Sequence, residues 1–205
     1  MNIGLLASHH GSNAQAVIDA CKYGLLQACT TVVISNNSNS GAIARAKQEG
    51  IAFYHLSLIT HPVPEKLDQA ILNALQKHNV DIVVLAGYMK KLGPKTLSKF
   101  QGAILNIHPA LLPRFGGEGM YGIHVHEAVL AVKEKETGVT IHLVDQKYDA
   151  GPIIAQKKIP VLSNDTPETL QARVLELEHT FLPETLQKIV LGEITLPRHN
   201  EQFIS

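Results

Sequence analysis

Two cysteines in 205 residues, Cys21 and Cys29, are too few for a disulfide framework, and neither belongs to a CxxC pair. That excludes the stapled secreted scaffolds and fits a reducing cytoplasm, the location expected for this chain. An excess of charge is missing too. Lys+Arg and Asp+Glu number 18 each, for a formal net charge of zero. The balance lacks the electrostatic footprint of a nucleic-acid binder, so no nucleic-acid partner is expected. No apolar run approaches membrane-spanning length, so no membrane partner is expected either. The N-terminus, Met1 to Ala7, has no basic leader and turns polar at Ser8; it reads as a first strand rather than a signal peptide. Linkers, repeats and low-complexity segments are absent, which leaves no second domain in view.

What is present is an ordinary globular composition, 45% hydrophobic and 18% charged, long enough to bury a substantial core. Short apolar runs at Ile3 to Ala7, Thr31 to Ile34, Ile51 to His55 and Ile82 to Ala86 read as buried strands. Between them lie helix candidates after Ser12, from Gly41 to Gly50, and from Glu65 to Lys77. The third carries Leu67, Ile71, Ala74 and Leu75 on one stripe. This βαβ rhythm predicts an α/β domain with a parallel sheet and right-handed crossovers. Beyond His108 a glycine-rich stretch, Phe115 to Gly122, leads into a helix from about Val125. Gly138 to Asp145 and Ile153 to Val161 then look like strands that could pair antiparallel. Asp165-Thr166-Pro167-Glu168 opens a last long helix with a cap, a first-turn proline and a glutamate, and Pro183 should end or kink it.

The chemistry concentrates in Ile104-Leu105-Asn106-Ile107-His108-Pro109-Ala110-Leu111-Leu112-Pro113. This reads as a short strand stopped by Pro109, with Asn106 and His108 emerging on one face at its carboxyl end. In an open parallel sheet that end is where ligands bind. A carboxamide beside an imidazole can hold an oxyanion and move a proton, although a polar strand terminus with a satisfied histidine fits as well. Gly11-Ser12-Asn13 opens the first helix, where free amides and hydroxyl or amide donors make a phosphate site; the same residues are ordinary helix caps. Leu85 to Pro94 reads as a strand released by Gly87 into a loop. Its Met89 and Leu92 could line a slot for a flat heterocycle read by backbone amides, or simply pack under the loop. Lys147 to Pro152 is a turn whose Asp149 matters if it reaches His108. The pairs His9/His10 and His124/His126 show no ligand spacing, and no metal is expected.

The order of these blocks resembles the phosphoribosylglycinamide formyltransferases, the folate-dependent enzymes of purine synthesis. The likeness runs from Met1 to about Gly192, and the Asn-x-His-Pro-x-Leu-Leu-Pro block is specific to folate formyltransferases. It implies a single-domain α/β formyltransferase fold over residues 1–192: a Rossmann-like, open, twisted, mostly parallel sheet with helices on both faces, followed by a tail, 193–205. It further implies Asn106, His108 and Asp149 as the catalytic trio, with Asp149 keeping His108 charged near neutral pH. His142 would support them or be structural. Gly11, Ser12 and Asn13 would hold the phosphate of the ribonucleotide, and Glu178 would help hold the ribonucleotide. On the helical register Glu178 borders the stripe of Leu170, Val174, Leu177 and Phe181, and without the resemblance it reads as a solvated glutamate. Met89, Lys90, Lys91, Leu92 and Asn106 would bind the folate, 10-formyltetrahydrofolate being the co-substrate.

Three positions depart from the family. His9-His10 stands where relatives often carry a glycine-containing pair, Pro64 where many carry a folate-contacting arginine, and the Gly116 to Gly122 stretch is longer than in some. The expected partners are small molecules, with the chain a monomer or homodimer. Methionyl-tRNA formyltransferase shares the Asn-x-His-Pro block but carries a C-terminal tRNA-gripping domain, and the deformylases carry an N-terminal one; neither is expected here. A non-catalytic nucleotide-binding module is the alternative from another class, opposed by the intact trio.

Overall fold

The structure, a computed structural model, describes residues 1–197. Its strands are β1 (Asn2–Leu6), β2 (Cys29–Ser35), β3 (Ala52–His55), β4 (Ile82–Leu85), β5 (Ile104–His108), β6 (Glu136–Leu143) and β7 (Ile153–Pro160). The helices are α1 (Ser12–Lys22), α2 (Gly41–Gln48), α3 (Pro64–Lys77), α4 (Pro94–Lys99), α5 (Ile123–Ala131) and α6 (Pro167–Val190). All seven strands form one sheet in the order β3-β2-β1-β4-β5-β6-β7. The first five run parallel, and β6 and β7 add on antiparallel, as their sequence pattern allowed.

Side-chain alternation sorts each central strand onto two cores. Ile82 and Val84 of β4 join a cluster with Val17 of α1, Val129 of α5 and Leu170 of α6. Val83 and Leu85 join another with Ile71 and Leu75 of α3. Helices therefore cover both faces, which is why these strands read as unbroken apolar runs. Each such buried Leu or Ile stabilises the fold by roughly 1.5–3 kcal/mol.

Three local features refine the sequence reading. Pro183 does not end α6, which continues to Val190. A mid-helix proline costs about 3 kcal/mol. Here Phe181, Leu182, Thr185 and Leu186 are all buried around it, and Thr185 Oγ1 donates to the Phe181 carbonyl at 2.8 Å, so packing outweighs the lost bond. The helix cap is Thr166, in a reciprocal capping box with Thr169, whereas Asp165 pairs with Arg173 at 2.7 Å. Helix α4, which begins where the loop read from Leu85 to Pro94 ends, was not anticipated. Its free amides are capped by the buried Asp68 of α3, which accepts from Lys95 N at 2.8 Å and Thr96 N at 3.1 Å. A cap arriving from another helix leaves no local pattern. Leu196, beyond the boundary drawn at residue 192, packs into the first core. The tail from Arg198 to Ser205, expected on the surface, lies outside the described residues.

The topology also sets the site. From β3 the chain returns across the sheet to β4, beside β1, so the connections leaving β1 and β4 diverge to opposite sides. Such a switch point opens a crevice at the strands' carboxyl ends. The Ser8–Gly11 loop and the Met89–Leu92 loop flank it.

Candidate active site

A cavity of about 790 Å³ occupies this crevice. Its wall includes Asn13, Met89, Lys90, Lys91, Leu92, Asn106, His108, Asp149 and Glu178, residues drawn from five separate segments. Of the expected binding residues, Gly11 and Ser12 are not on that wall. Gly11 precedes α1 at φ 70, and a Cβ there would collide with Ala42 of α2, so only glycine fits. Ser12 faces a smaller cavity of about 300 Å³ behind α1.

The strand β5 delivers Asn106 and His108 to the cavity together. The segment after Pro109 is pinned by buried Thr140, which donates to the Ala110 carbonyl at 2.6 Å and accepts from Leu112 N at 3.0 Å. His108 is 3% exposed, its Nε2 2.7 Å from the Phe115 carbonyl and its Nδ1 3.6 Å from Asp149 Oδ2. A carbonyl only accepts, so Nε2 carries the hydrogen. Asp149 also accepts from Gly117 N at 2.9 Å and Asn106 Nδ2 at 3.4 Å. His142 donates from Nδ1 to its neighbour's carbonyl, Leu143 O, at 2.8 Å and presents Nε2 to Asn106 Nδ2 at 3.0 Å. His142 therefore orients the Asn106 amide.

The protonation differs from the expectation of a charged His108. Burial pushes its pKa below the ordinary imidazole value, against the pull of Asp149 and the Phe115 carbonyl. Desolvation wins because the carboxylate stands at 3.6 Å and is shared with Asn106 and Gly117. For Asp149 itself burial pushes upward, yet His142, His108 and the Gly117 amide together hold it below the usual carboxylate value.

At the other end of the cavity Glu178 is 6% exposed, not solvated. Asn13 Nδ2 donates to its Oε2 at 2.9 Å. Burial, only partly offset by that bond, pushes the Glu178 pKa up to about 7. One N–H of the Asn13 carboxamide is thus engaged, and its Oδ1 is buried without a partner, so the group offers a ligand an acceptor as well as its second N–H.

The Met89 amide is likewise spoken for. It donates at 2.8 Å to Ser8 Oγ, which in turn donates to Asn36 Oδ1. Ser8 joins the ends of β1, β2 and β4, but its role as a brace was not legible in an isolated serine. Lys91 Nζ sits 4.5 Å from the centre of the Tyr148 ring, joining two loops over the cavity mouth. Pro64 occupies the first turn of α3, leaving no arginine there. His126, read only as a weak metal candidate, is buried on the cavity wall with Nδ1 unpartnered. Burial and the nearby His108 push its pKa down to about 4. Among the described residues no His/Cys/Asp/Glu group could hold a metal, and no helix is long and apolar enough to cross a membrane.

A crevice at the switch point of an open α/β sheet is where such folds bind ligands, and comparison with known proteins supplies the class. The family model described as Formyl transferase matches residues 1–186, so the chain belongs to that family. The chain is 36% identical over 196 residues to the phosphoribosylglycinamide formyltransferase of Escherichia coli (strain K12), covering 96% of this chain and 90% of the relative. It is 40% identical to the chloroplastic phosphoribosylglycinamide formyltransferase of Vigna unguiculata, covering 91% of this chain and 60% of that longer protein. The solved structure of glycinamide ribonucleotide transformylase 1 from Symbiobacterium toebii superposes with a TM-score of 0.87 at 37% identity, covering 94% of this chain and 88% of that one. These likenesses bear out the α/β formyltransferase fold.

Proposed function

We propose that the chain transfers a formyl group from 10-formyltetrahydrofolate to the primary amine of phosphoribosylglycinamide, in de novo purine synthesis. The observation that carries the reading is the meeting of Asn106, His108 and Asp149 on the wall of one large cavity, in a chain whose family moves formyl groups. The relatives' names supply the acceptor.

The formyl carbon is attacked by the amine, and negative charge develops on its oxygen. Asn106 Nδ2 faces the cavity with hydrogens directed to His142 and Asp149. The weaker contact, at 3.4 Å to Asp149, is the one a developing oxyanion replaces. His108 moves the proton from the attacking amine toward the leaving folate nitrogen. For that, its Nε2 exchanges the Phe115 carbonyl for the substrate and the ring hydrogen moves to Nδ1, beside Asp149, which frees a lone pair on Nε2 to take the amine's proton and pass it to the folate nitrogen. Met89 to Leu92 form one wall for the pterin, and the Lys90 and Lys91 ammonium groups stand at the mouth for an anionic tail. Asn13 Oδ1 and Glu178 accept from the acceptor's hydroxyls. A cytoplasmic setting and a monomer or homodimer complete the reading.

A spectroscopic assay of folate product, with phosphoribosylglycinamide supplied or withheld, tests it. Product is expected only when the ribonucleotide is supplied. Equal product without it would make the chain a hydrolase of the formyl donor, and none in either case would leave a binding module.

A further inference from the structure

The proposed chemistry leaves His126 idle. Its ring projects from the first turn of α5 and is 1% exposed, yet it lines the main cavity. The same wall carries Asn106, His108 and Glu178, and the charge of His108 bears on the His126 ring. Buried histidines are ordinarily tied through a nitrogen, as His108 and His142 are to backbone carbonyls. His126 is not. Its Nδ1 is buried without a partner, and its Nε2 makes no hydrogen bond among the described residues. Because Nδ1 is sealed, the Nε2 edge is the one left to meet the cavity. With its pKa pushed down to about 4 the ring is neutral, holding one N–H and one lone pair. A sealed N–H with no acceptor is the costlier choice, so the hydrogen sits on Nε2 and Nδ1 keeps the lone pair. His126 thus presents the cavity with an uncharged, fixed donor, which suits a carbonyl oxygen.

We infer that His126 Nε2–H donates to the carbonyl oxygen of the acceptor's glycinamide arm and so aligns the arm's amine with His108. The inference rests on the proposed reaction and adds a contact to its acceptor site. Other donors of the cavity are committed elsewhere: Asn106 to the formyl oxygen, the Met89 amide to Ser8 Oγ, and Asn13 to the Glu178 end. A single methylene separates the arm's carbonyl from its amine. A donor that holds the oxygen must therefore stand near the group that takes the amine's proton, and His126 stands near His108. Fixing the carbonyl stops rotation of the arm and keeps the amine on line with the formyl carbon.

The test compares two carbocyclic ribonucleotides, one with the glycinamide arm and one with an aminopropyl arm of the same length and no carbonyl. Calorimetric binding to the full chain without folate keeps the measurement apart from formyl transfer. His126→Phe should bind the glycinamide ligand about tenfold more weakly, because a desolvated carbonyl is left unpaired. The aminopropyl ligand should bind both proteins alike. His126→Gln, which keeps an N–H near the Nε2 position, should recover most of the affinity for the glycinamide ligand. A histidine that only packs the wall would give equal losses for the two ligands. That result, or unchanged glycinamide affinity in His126→Phe, overturns the inference. Should His126→Phe not fold, NMR of the wild type answers alone. The His126 ring N–H signal, assigned by its disappearance in His126→Gln, should move on adding the glycinamide ligand and stay in place with the aminopropyl one. Movement with both or with neither overturns the inference as well. Steady-state assays then separate the two readings. An unchanged ribonucleotide KM in an active His126→Phe enzyme sinks the contact alone, whereas a loss specific to the glycinamide ligand in a chain that transfers no formyl group sinks the reaction alone.

Discussion

One cavity buries two carboxyl groups, Asp149 at one end and Glu178 at the other, and gives them opposite character. Asp149 accepts from two N–H donors, the Gly117 amide and Asn106 Nδ2, and has the His108 and His142 rings within 3.6 Å and 3.4 Å. Its pKa is below the usual value despite burial. Glu178 has, among the described residues, a single donor, Asn13, and its pKa climbs to about 7. Burial works upward on both acids, so the number of donors decides which remains ionised. The same logic runs in reverse for the bases. His108 loses affinity for protons because Asp149 does not offset its desolvation, and His126 because burial and the nearby His108 act in the same direction. The Asp149 end is thus a fixed negative charge facing His108, whose proton affinity burial has lowered, and the Glu178 end is a carboxyl half-protonated near neutrality.

Removing the proton carrier should separate the ends most sharply. His108→Ala is expected to lower kcat about 10²–10⁴-fold, the range for loss of a positioned acid or base, with both KM values near wild type. Single-turnover kinetics alongside ligand binding measures this. A rate close to wild type would remove His108 from the chemistry.

Asp149→Asn cuts less deeply, about 10²-fold at neutral pH. It deletes the attraction that opposes burial, so the pKa of His108 falls further and the corresponding limb of the pH–rate profile moves toward acid. NMR titration of His108 in both proteins decides it. The double variant with His108→Ala should be little worse than His108→Ala alone, because the pair acts as a unit.

The contrast between the two ends also marks what the sequence can reveal. Asn106 and His108 were legible because strand period and Pro109 fix their direction within five residues. Glu178 was legible only as a border position on a helical stripe; its burial depends on Asn13, 165 positions away. The neutral state of His108 was misread because a pKa follows distances. The sequence supplied a partner in Asp149 but not the 3.6 Å separation or the Phe115 carbonyl on the other nitrogen. Ser8, Thr140 and Asp68 escaped for the same reason: each satisfies amides in a segment distant along the chain.

At the Glu178 end, Asn13→Ala should raise the ribonucleotide KM about tenfold while leaving the folate KM nearly unchanged. The loss removes both the acceptor Oδ1 and the one donor that restrains Glu178. A change confined to the folate KM would move the ribonucleotide elsewhere in the cavity.

The smallest effect expected is one of stability, and its pH dependence tests the comparison directly. A carboxyl whose pKa is about 7 in the folded chain, against 4.5 as the ordinary value, favours the fold in its protonated form. That contribution is fully present below pH 4.5 and is lost as pH rises toward 7. Above 7 the ionised carboxylate costs the fold on the order of 3 kcal/mol. Glu178→Gln carries no charge at any pH and still offers Asn13 Nδ2 an acceptor. Its melting temperature should therefore match the wild type near pH 4.5, exceed it by several degrees at pH 8, and change little in excess beyond that. His108 and His126, whose lowered pKa values destabilise the fold as pH falls below 6.5, remain in both proteins and cancel in the difference. Thermal melts at pH 4.5, 6, 7 and 8 supply the curve. A gap that does not vary with pH would mean that Glu178 is as well served by donors as Asp149, and the distinction between the two ends would fail. If Glu178 also grips the ribonucleotide, the stabilised variant should bind it more weakly, the trade expected where a strained charge is kept for function.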